Sequence, residues 1–205
     1  MAKIKFTKGE LKRQRDSLKQ FQRYLPTLQL KKQQLQLEIL AQNSLLQKIQ
    51  QILMKKTQSA LTWAGLLGEL QIEIKLYLKP KKVNTHLKNI AGVDIPVFEG
   101  IDFSEPDYDL FLTPLWLDTG IQGLRELVIF NQQIFLLKQG VDILRQELRI
   151  TTQRVNLFEK VKIPAAQENI RLIKIYIGDQ MANAVGRSKI AKRKIEELIL
   201  EEAAV

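Results

Sequence analysis

The stretch LKRQRDSLKQFQRYLPTLQLKKQQLQLEILAQNSLLQKIQ, residues 11–50, decides the fold, because its apolar side chains return every seven residues. With Leu11 as position a, the a series continues through Leu18, Leu25, Lys32, Ile39, Leu46, Leu53, Ala60, Leu67 and Ile74. The d series runs Gln14, Phe21, Leu28, Leu35, Gln42, Ile49, Lys56, Trp63, Leu70 and Tyr77. Sixteen of these twenty positions are apolar against 45% for the whole chain, so the repeat marks a packing seam and not the background composition. The pattern predicts one long helix from Thr7 to Lys79, with a kink at Pro26, where a backbone donor is missing.

A second seam runs from about Thr119 to Leu200. Leu127, Ile134, Val141, Leu148 and Val155 take the a positions, and Phe130, Leu137, Leu144, Thr151 and Phe158 the d positions. The stripe resumes as Ile163, Ala166, Ile170, Ile173 and Ile177, one residue out of phase, and the slip falls beside Pro164. A change of supercoil or a kink is expected there. Two long seams separated by about 40 residues fold back most simply as an antiparallel pair. The alternative is a dimer in which each helix pairs with a second copy. The expected fold is all-α: a long antiparallel two-helix coiled coil, residues 1–79 and 119–205, with a short β-hairpin or loop segment at its closed end, residues 80–118.

That connector holds four of the six prolines and the segment IAGVDIPVFEGIDF, where β-branched and aromatic residues alternate around Gly92, Pro96 and Gly100. From Asn89 to Leu124 there are seven acidic residues and no Lys or Arg. Residues 1–32 carry ten Lys or Arg against Glu10 and Asp16, and Arg187, Lys189, Lys192, Arg193 and Lys194 follow near the other end. In an antiparallel pair these tracts share one extremity, so the formal charge of +10 is polarised: basic at the free end, acidic at the closed end.

The chain is poor in catalytic parts. It has no Cys and a single His, His86, which removes disulfide scaffolds, thiolate zinc sites, Cys nucleophiles and most His-paired triads. His86 reads as a solvated loop residue. Gly186, Arg187 and Ser188 look faintly like the end of a phosphate-binding loop, but Met181 stands where its first Gly belongs and Arg replaces its Lys. Glu105, Asp107 and Asp109 lack the Gly and terminal Glu of a calcium loop. No catalytic residue, cofactor or metal site is expected. MAKIKFTKGELKRQRD contains no apolar signal core, and no run approaches a bilayer span, so a cytoplasmic location without membrane insertion is expected.

The segment RVNLFEKVKIPAAQENIRLIKIYIGDQ, Arg154 to Gln180, resembles the signature of the D subunits of V-type and A-type ATPases: an R-V-N stretch, a following I-P, and an isoleucine-spaced helix. The basic tail GRSKIAKRK, the opening FTKGELKRQRDSL with Phe6 where the family has Pro, and the central AGVDIP match in the same order. YLPTLQLKKQQLQLEI is similar to the branch of the family found in bacterial V-type enzymes. The resemblance covers nearly the whole chain.

It implies a central rotor shaft in a rotary ATPase, peripheral to the membrane. Its partners would be the hexamer of catalytic A and B subunits, other central-stalk subunits, and the membrane rotor ring through an adaptor subunit. Lys12, Arg13, Arg15 and Lys19, beside Arg187, Lys189, Lys192 and Arg193, form the expected hexamer-facing surface. Ile95, Val97, Phe98 and Trp116 are expected to dock a partner at the acidic end, unless they close a small local core. The alternative function is a nucleic-acid-binding coiled-coil arm with the basic end along phosphates, which affinity for DNA or RNA falling steeply with salt would mark. A membrane-curving dimer would need a basic face along its whole length.

Overall fold

A computed structural model describes residues 5–69, 74–104 and 113–203. The element order is α1 (Lys8–Leu61), a 3-10 turn (Ala64–Glu69), α2 (Ile74–Leu78), β1 (Pro80–Ile90), β2 (Val93–Phe103), α3 (Leu117–Leu157), a π-helical turn (Phe158–Lys162) and α4 (Ile163–Ala203). Thr7 opens α1: its Oγ1 accepts the Glu10 N–H at 3.2 Å, satisfying one of the donors a helix start leaves free. The helix continues through Pro26.

The heptad reading of one helix to Lys79 is corrected. α1 ends at Leu61, and the chain turns through Ala64–Glu69 and α2. Gly65 and Gly68 weaken the helix by roughly 1 kcal/mol each, and the Thr62 hydroxyl bonds the Ser59 carbonyl at 2.7 Å, drawing the backbone into a turn. The turn also delivers Trp63 to α3: its ring lies 3.5 Å from a Cβ built on Gly120 and 3.4 Å from one built on Gly123.

The chain divides into two compact units, residues 1–29 with 153–205, and residues 30–152. The helices pair antiparallel in each. In the first unit, Phe6 meets Tyr176 with ring centroids 5.1 Å apart, the Asn169 amide reaches Gln14 at 3.5 Å, and Phe21 packs on Phe158 at 5.3 Å. In the second, Lys31 pairs with Glu147 at 2.8 Å and Lys56 with Glu126. The seam residues are the ones withdrawn from solvent: Leu35, Ile39, Ile49, Ile134, Val141, Leu144, Thr151 and Val155 are buried, as are Ala166, Ile170 and Ile173 beyond the slip. Lys56, polar at a d position, stays exposed and is used for its ion pair.

The slip beside Pro164 is resolved as a π-helical turn. The Ile163 N–H bonds the Phe158 carbonyl five residues back, so the turn holds one residue more than an α turn. That one residue is the phase difference in the sequence.

The connector contains a full hairpin. β1 and β2 are antiparallel, each eleven residues, joined by Ala91 (φ 51°) and Gly92 (φ 77°). Two consecutive positive φ values make the mirror-image turn whose twist suits a tight hairpin. The Asn89 side chain braces it, accepting the Gly92 N–H at 3.1 Å and donating to Asp94 at 2.6 Å. β1, PKKVNTHLKNI, gives only a weak strand signal in the sequence: Val83, Thr85 and Leu87 alternate with polar residues, but most of the strand is exposed.

The hairpin packs on the helix pair. Ile95 joins Leu35, Ile39 and Leu144 in one buried cluster, with Ile90, Ala91, Val93, Val97 and Leu148 around it. On α3, a Cβ built on Gly140 would lie 3.8 Å from Ile95 and 4.0 Å from the Pro96 carbonyl, so the strand approaches the helix at van der Waals distance.

Candidate functional surfaces

The basic surface belongs to the unit formed by residues 1–29 and 153–205. Lys12, Arg13, Arg15 and Lys19 occupy positions of α1 away from the seam and are all exposed. Arg13 makes only a loose pair with Glu10, at 3.9 Å. Arg187, Lys189, Lys192 and Arg193 are exposed on α4, where Lys192 and Arg193 reach Glu196 and Glu197 at 3.6 and 3.5 Å.

The expectation that these two groups lie side by side is corrected. Phe6 stands opposite Tyr176 and Gln14 reaches Asn169, so the Lys12 region faces the helix near residue 170. Arg187 is eleven residues beyond Tyr176, about 16 Å farther along α4. The cations therefore form two successive bands, which lowers the repulsion they would suffer at one level. Every residue from Gly178 to Glu197 is exposed, although the segment is helical throughout. Met181, Val185, Ile190 and Ile195 are each more than half exposed along it. α4 thus presents a mixed basic and apolar surface that no described part of the chain covers.

Below this segment, Arg171 donates from Nε and Nη2 to the two Glu168 oxygens at 2.9 and 2.7 Å. This hydrogen bond holds the Glu168 carboxyl below the usual carboxylate range, against an opposing effect of desolvation, and raises the Arg171 guanidinium.

The second surface is the hairpin and the neighbouring turn of helix ends, in the unit formed by residues 30–152. Ile95 is 2% exposed and wholly committed to the chain's own core. Val97 packs beside it, Phe98 is half-buried, and Trp116 is half-buried against Gly120, its ring 3.2 Å from a Cβ placed there. The acidic character of the connector is moderated, because β1 sets Lys81, Lys82, His86 and Lys88 alongside Asp94, Glu99 and Asp102 of β2. His86 is a strand residue and not a loop residue: its Nδ1 lies 3.0 Å from Glu99. Glu105, Asp107 and Asp109 lie outside the described residues.

Two features here escape a reading of the sequence alone. Arg125, the first cation after the acidic stretch, donates to the Tyr77 carbonyl at 3.1 Å and the Ser104 carbonyl at 2.6 Å, and its guanidinium lies 5.0 Å from the Phe103 ring centroid. It ties α2, the end of β2 and α3 together. The other is an outer stripe on α1. Leu30, Leu37, Leu40, Met54 and Leu61 fall at the f and b positions of the same heptad and are each more than half exposed. Gln33, Ser44, Gln47, Gln51 and Gln58 fill the remaining positions, so the face is uncharged over its full length. The signal lies in the heptad lettering, away from the a and d positions.

Among the described residues, no group of three or more His, Cys, Asp or Glu side chains could hold a metal ion. No described helix is long and apolar enough to cross a membrane.

Known proteins share this sequence over nearly its whole length. A model of the family described as the D subunit of ATP synthase matches residues 10–193. The V-type ATP synthase D subunit of Borreliella burgdorferi is 46% identical over 197 residues, covering 95% of this chain and 96% of that protein. The proteins of the same name from Chlamydia caviae and Chlamydia pneumoniae are 34% and 32% identical, each over 203 residues. They cover 96% and 94% of this chain and 95% and 93% of their own lengths.

Proposed function

Because the chain belongs to the family of ATP synthase D subunits, we propose that it is the central rotor shaft of a V/A-type rotary ATPase, coupling ATP hydrolysis or synthesis in a catalytic hexamer to rotation of a membrane ion-translocating ring. The observation that carries this reading is the bare end of α4. Twenty consecutive residues, 178–197, stay helical with every side chain exposed, so the segment packs on no described part of the chain and is free to lie against a partner. A bore lined by catalytic A and B subunits supplies one. The basic bands give it an electrostatic preference for acidic walls, and the interspersed Met181, Val185, Ile190 and Ile195 give it apolar contacts.

A shaft couples catalytic sites by contacting them differently at each orientation, which biases their open and closed states. The bare segment suits this role because its surface is uneven: Ile190 interrupts the cations, and Ile195, Glu196 and Glu197 follow them. The chain itself performs no chemistry in this role. It acts in the cytoplasm, peripheral to the membrane, without cofactor or nucleic acid.

The helices of residues 1–79 and 119–205 act as the shaft and residues 80–118 as the connector to the remaining stalk. The uncharged outer stripe of α1, Leu30 to Leu61, is the face on which another central-stalk subunit lies. Phe98 and Trp116, with Val97 at the margin, face the adaptor that leads to the ring, while Ile95 supports them from the core.

Two variants test the reading: deletion of residues 178–205, and replacement of Arg187, Lys189, Lys192 and Arg193 by Ala. Both should bind the hexamer more weakly and lower its ATP turnover, and the parent's affinity should fall as salt rises. Parent-like binding and turnover by both variants at low and high salt would reject the assignment.

A further inference from the structure

The seam of α3 and α4 is a heptad with one residue too many. From Leu127 to Phe158 the apolar positions keep one phase, and from Ile163 to Ile177 they keep it again, one residue late. Val155 before the slip and Ala166 and Ile173 after it are all buried, so both halves still face the same seam. In an unbroken α-helix one added residue would rotate everything downstream by about 100° and carry Ile163–Ile177 out of the seam. The π-helical turn Phe158–Lys162 takes up the residue and prevents that.

The same turn is where the hydrogen-bond ladder is thinnest. Returning from a five-residue to a four-residue step skips one carbonyl, and Pro164, which has no N–H, leaves a second without a helical donor. Residues 159–162 are all exposed, so water reaches the freed groups. The facing helix of the same compact unit is interrupted too: Pro26 has no N–H for the carbonyl of Gln22, the residue next to Phe21, whose ring packs on Phe158. Both members of the pair therefore lack main-chain bonds in one stretch, while the Phe21–Phe158 contact and the buried seam keep them in register.

We propose that the π-helical turn Phe158–Lys162, with the Gln22 carbonyl freed by Pro26 on the facing helix, is a soft joint: a site that opens locally and yields to twist while the seam on either side stays packed. Twist applied to a helix pair concentrates where the fewest bonds resist it. The opening is a property of the free chain; its mechanical use rests on the shaft reading above.

The test is a variant lacking Lys160 and carrying Pro164→Ala. Removing one residue brings Ile163, Ala166, Ile170, Ile173 and Ile177 into the phase of Leu127–Phe158, and the Ala restores a donor. In the free parent chain, amides 159–163 should exchange with deuterium at least about tenfold faster than amides 168–173. In the variant the ratio should fall below about threefold and the melting temperature should rise. Reconstituted with its ATPase, the variant should bind the hexamer like the parent but translocate at least about twofold fewer ions per ATP.

Uniform exchange in the parent overturns the joint. So does a straightened variant that couples like the parent. A parent that fails to bind the hexamer rejects the shaft reading and with it the mechanical role, while exchange in the free chain still decides the opening. Should the deletion lose helicity, Pro164→Ala alone serves: it restores one donor, keeps the extra residue, and should slow exchange at the turn by about threefold, with no slowing counting against the joint.

Discussion

Replacing Ile95 by Ala tests whether the hairpin is part of the folded helix pair in solution. Ile95 is 2% exposed and sits among Leu35, Ile39 and Leu144, of which Leu35 and Leu144 have no exposure at all. The change removes three carbons, about 2.4 kcal/mol of transfer free energy at about 0.8 kcal/mol per buried carbon. The cavity term raises the total to about 3 kcal/mol, since Gly140 on α3 offers no side chain to collapse into the space. Leu144→Ala should cost a similar amount, about 3 kcal/mol. Because the two share one cluster, the double variant should fall short of the sum by about 1 kcal/mol. In thermal melts of the full chain, about 3 to 4 °C is lost per kcal/mol for a unit of this size, so each single variant should melt roughly 10 °C lower. Helix content at low temperature should be unchanged. A loss below about 0.5 kcal/mol for Ile95→Ala, or additivity within about 0.3 kcal/mol, would mean that the hairpin is not docked on Leu35 and Leu144.

Four further outcomes are expected. Ala91 holds φ at 51°, a conformation Asn tolerates better than Ala, so Ala91→Asn should stabilise the hairpin by about 0.5 kcal/mol in thermal melts. Gly92→Val should destabilise it by about 1 kcal/mol or more, because its φ of 77° penalises a branched side chain. Arg125→Lys gives up the forked reach to the Tyr77 and Ser104 carbonyls and should cost about 1 to 2 kcal/mol, with faster amide exchange at the base of the hairpin. The Glu168 pKa is depressed in the folded state, so its contribution is present above the unfolded carboxylate pKa and lost as pH falls through the folded one; melts of Glu168→Gln and the parent should differ at neutral pH and converge in acid.

The helices are legible in the sequence because burial on them is periodic. Among the described residues, every a and d residue assigned from the repeat is buried or half-buried except Lys56, which is already polar. The slip beside Pro164 locates the irregularity in the second seam. Its form is not readable, since a kink and a π turn both absorb a change of phase. β1 is harder to read for the opposite reason: its alternation is limited to Val83, Thr85 and Leu87, and it is positioned by its pairing with β2 and by the Ala91–Gly92 turn while its own side chains bury little. Ile95 looks like a docking residue because an apolar side chain in a strand reads the same whether its cover is a partner or its own helix. The relation between the two basic tracts depends on where α1 begins relative to α4. The Phe6–Tyr176 contact fixes that point, and no spacing within either helix could supply it.

The shaft assignment is tested most directly by tethering the bare segment to the hexamer. The chain has no cysteine, so Val185→Cys, on an exposed position of α4, introduces a single thiol. It is paired with a cysteine placed on the bore-facing surface of one of the catalytic subunits. On oxidation, the disulfide should form in the assembled complex and ATP hydrolysis should stop; on reduction, hydrolysis should return to the parent rate. A complex that carries the disulfide and still hydrolyses ATP at the parent rate would show that α4 does not turn within the hexamer, and the shaft assignment would be wrong.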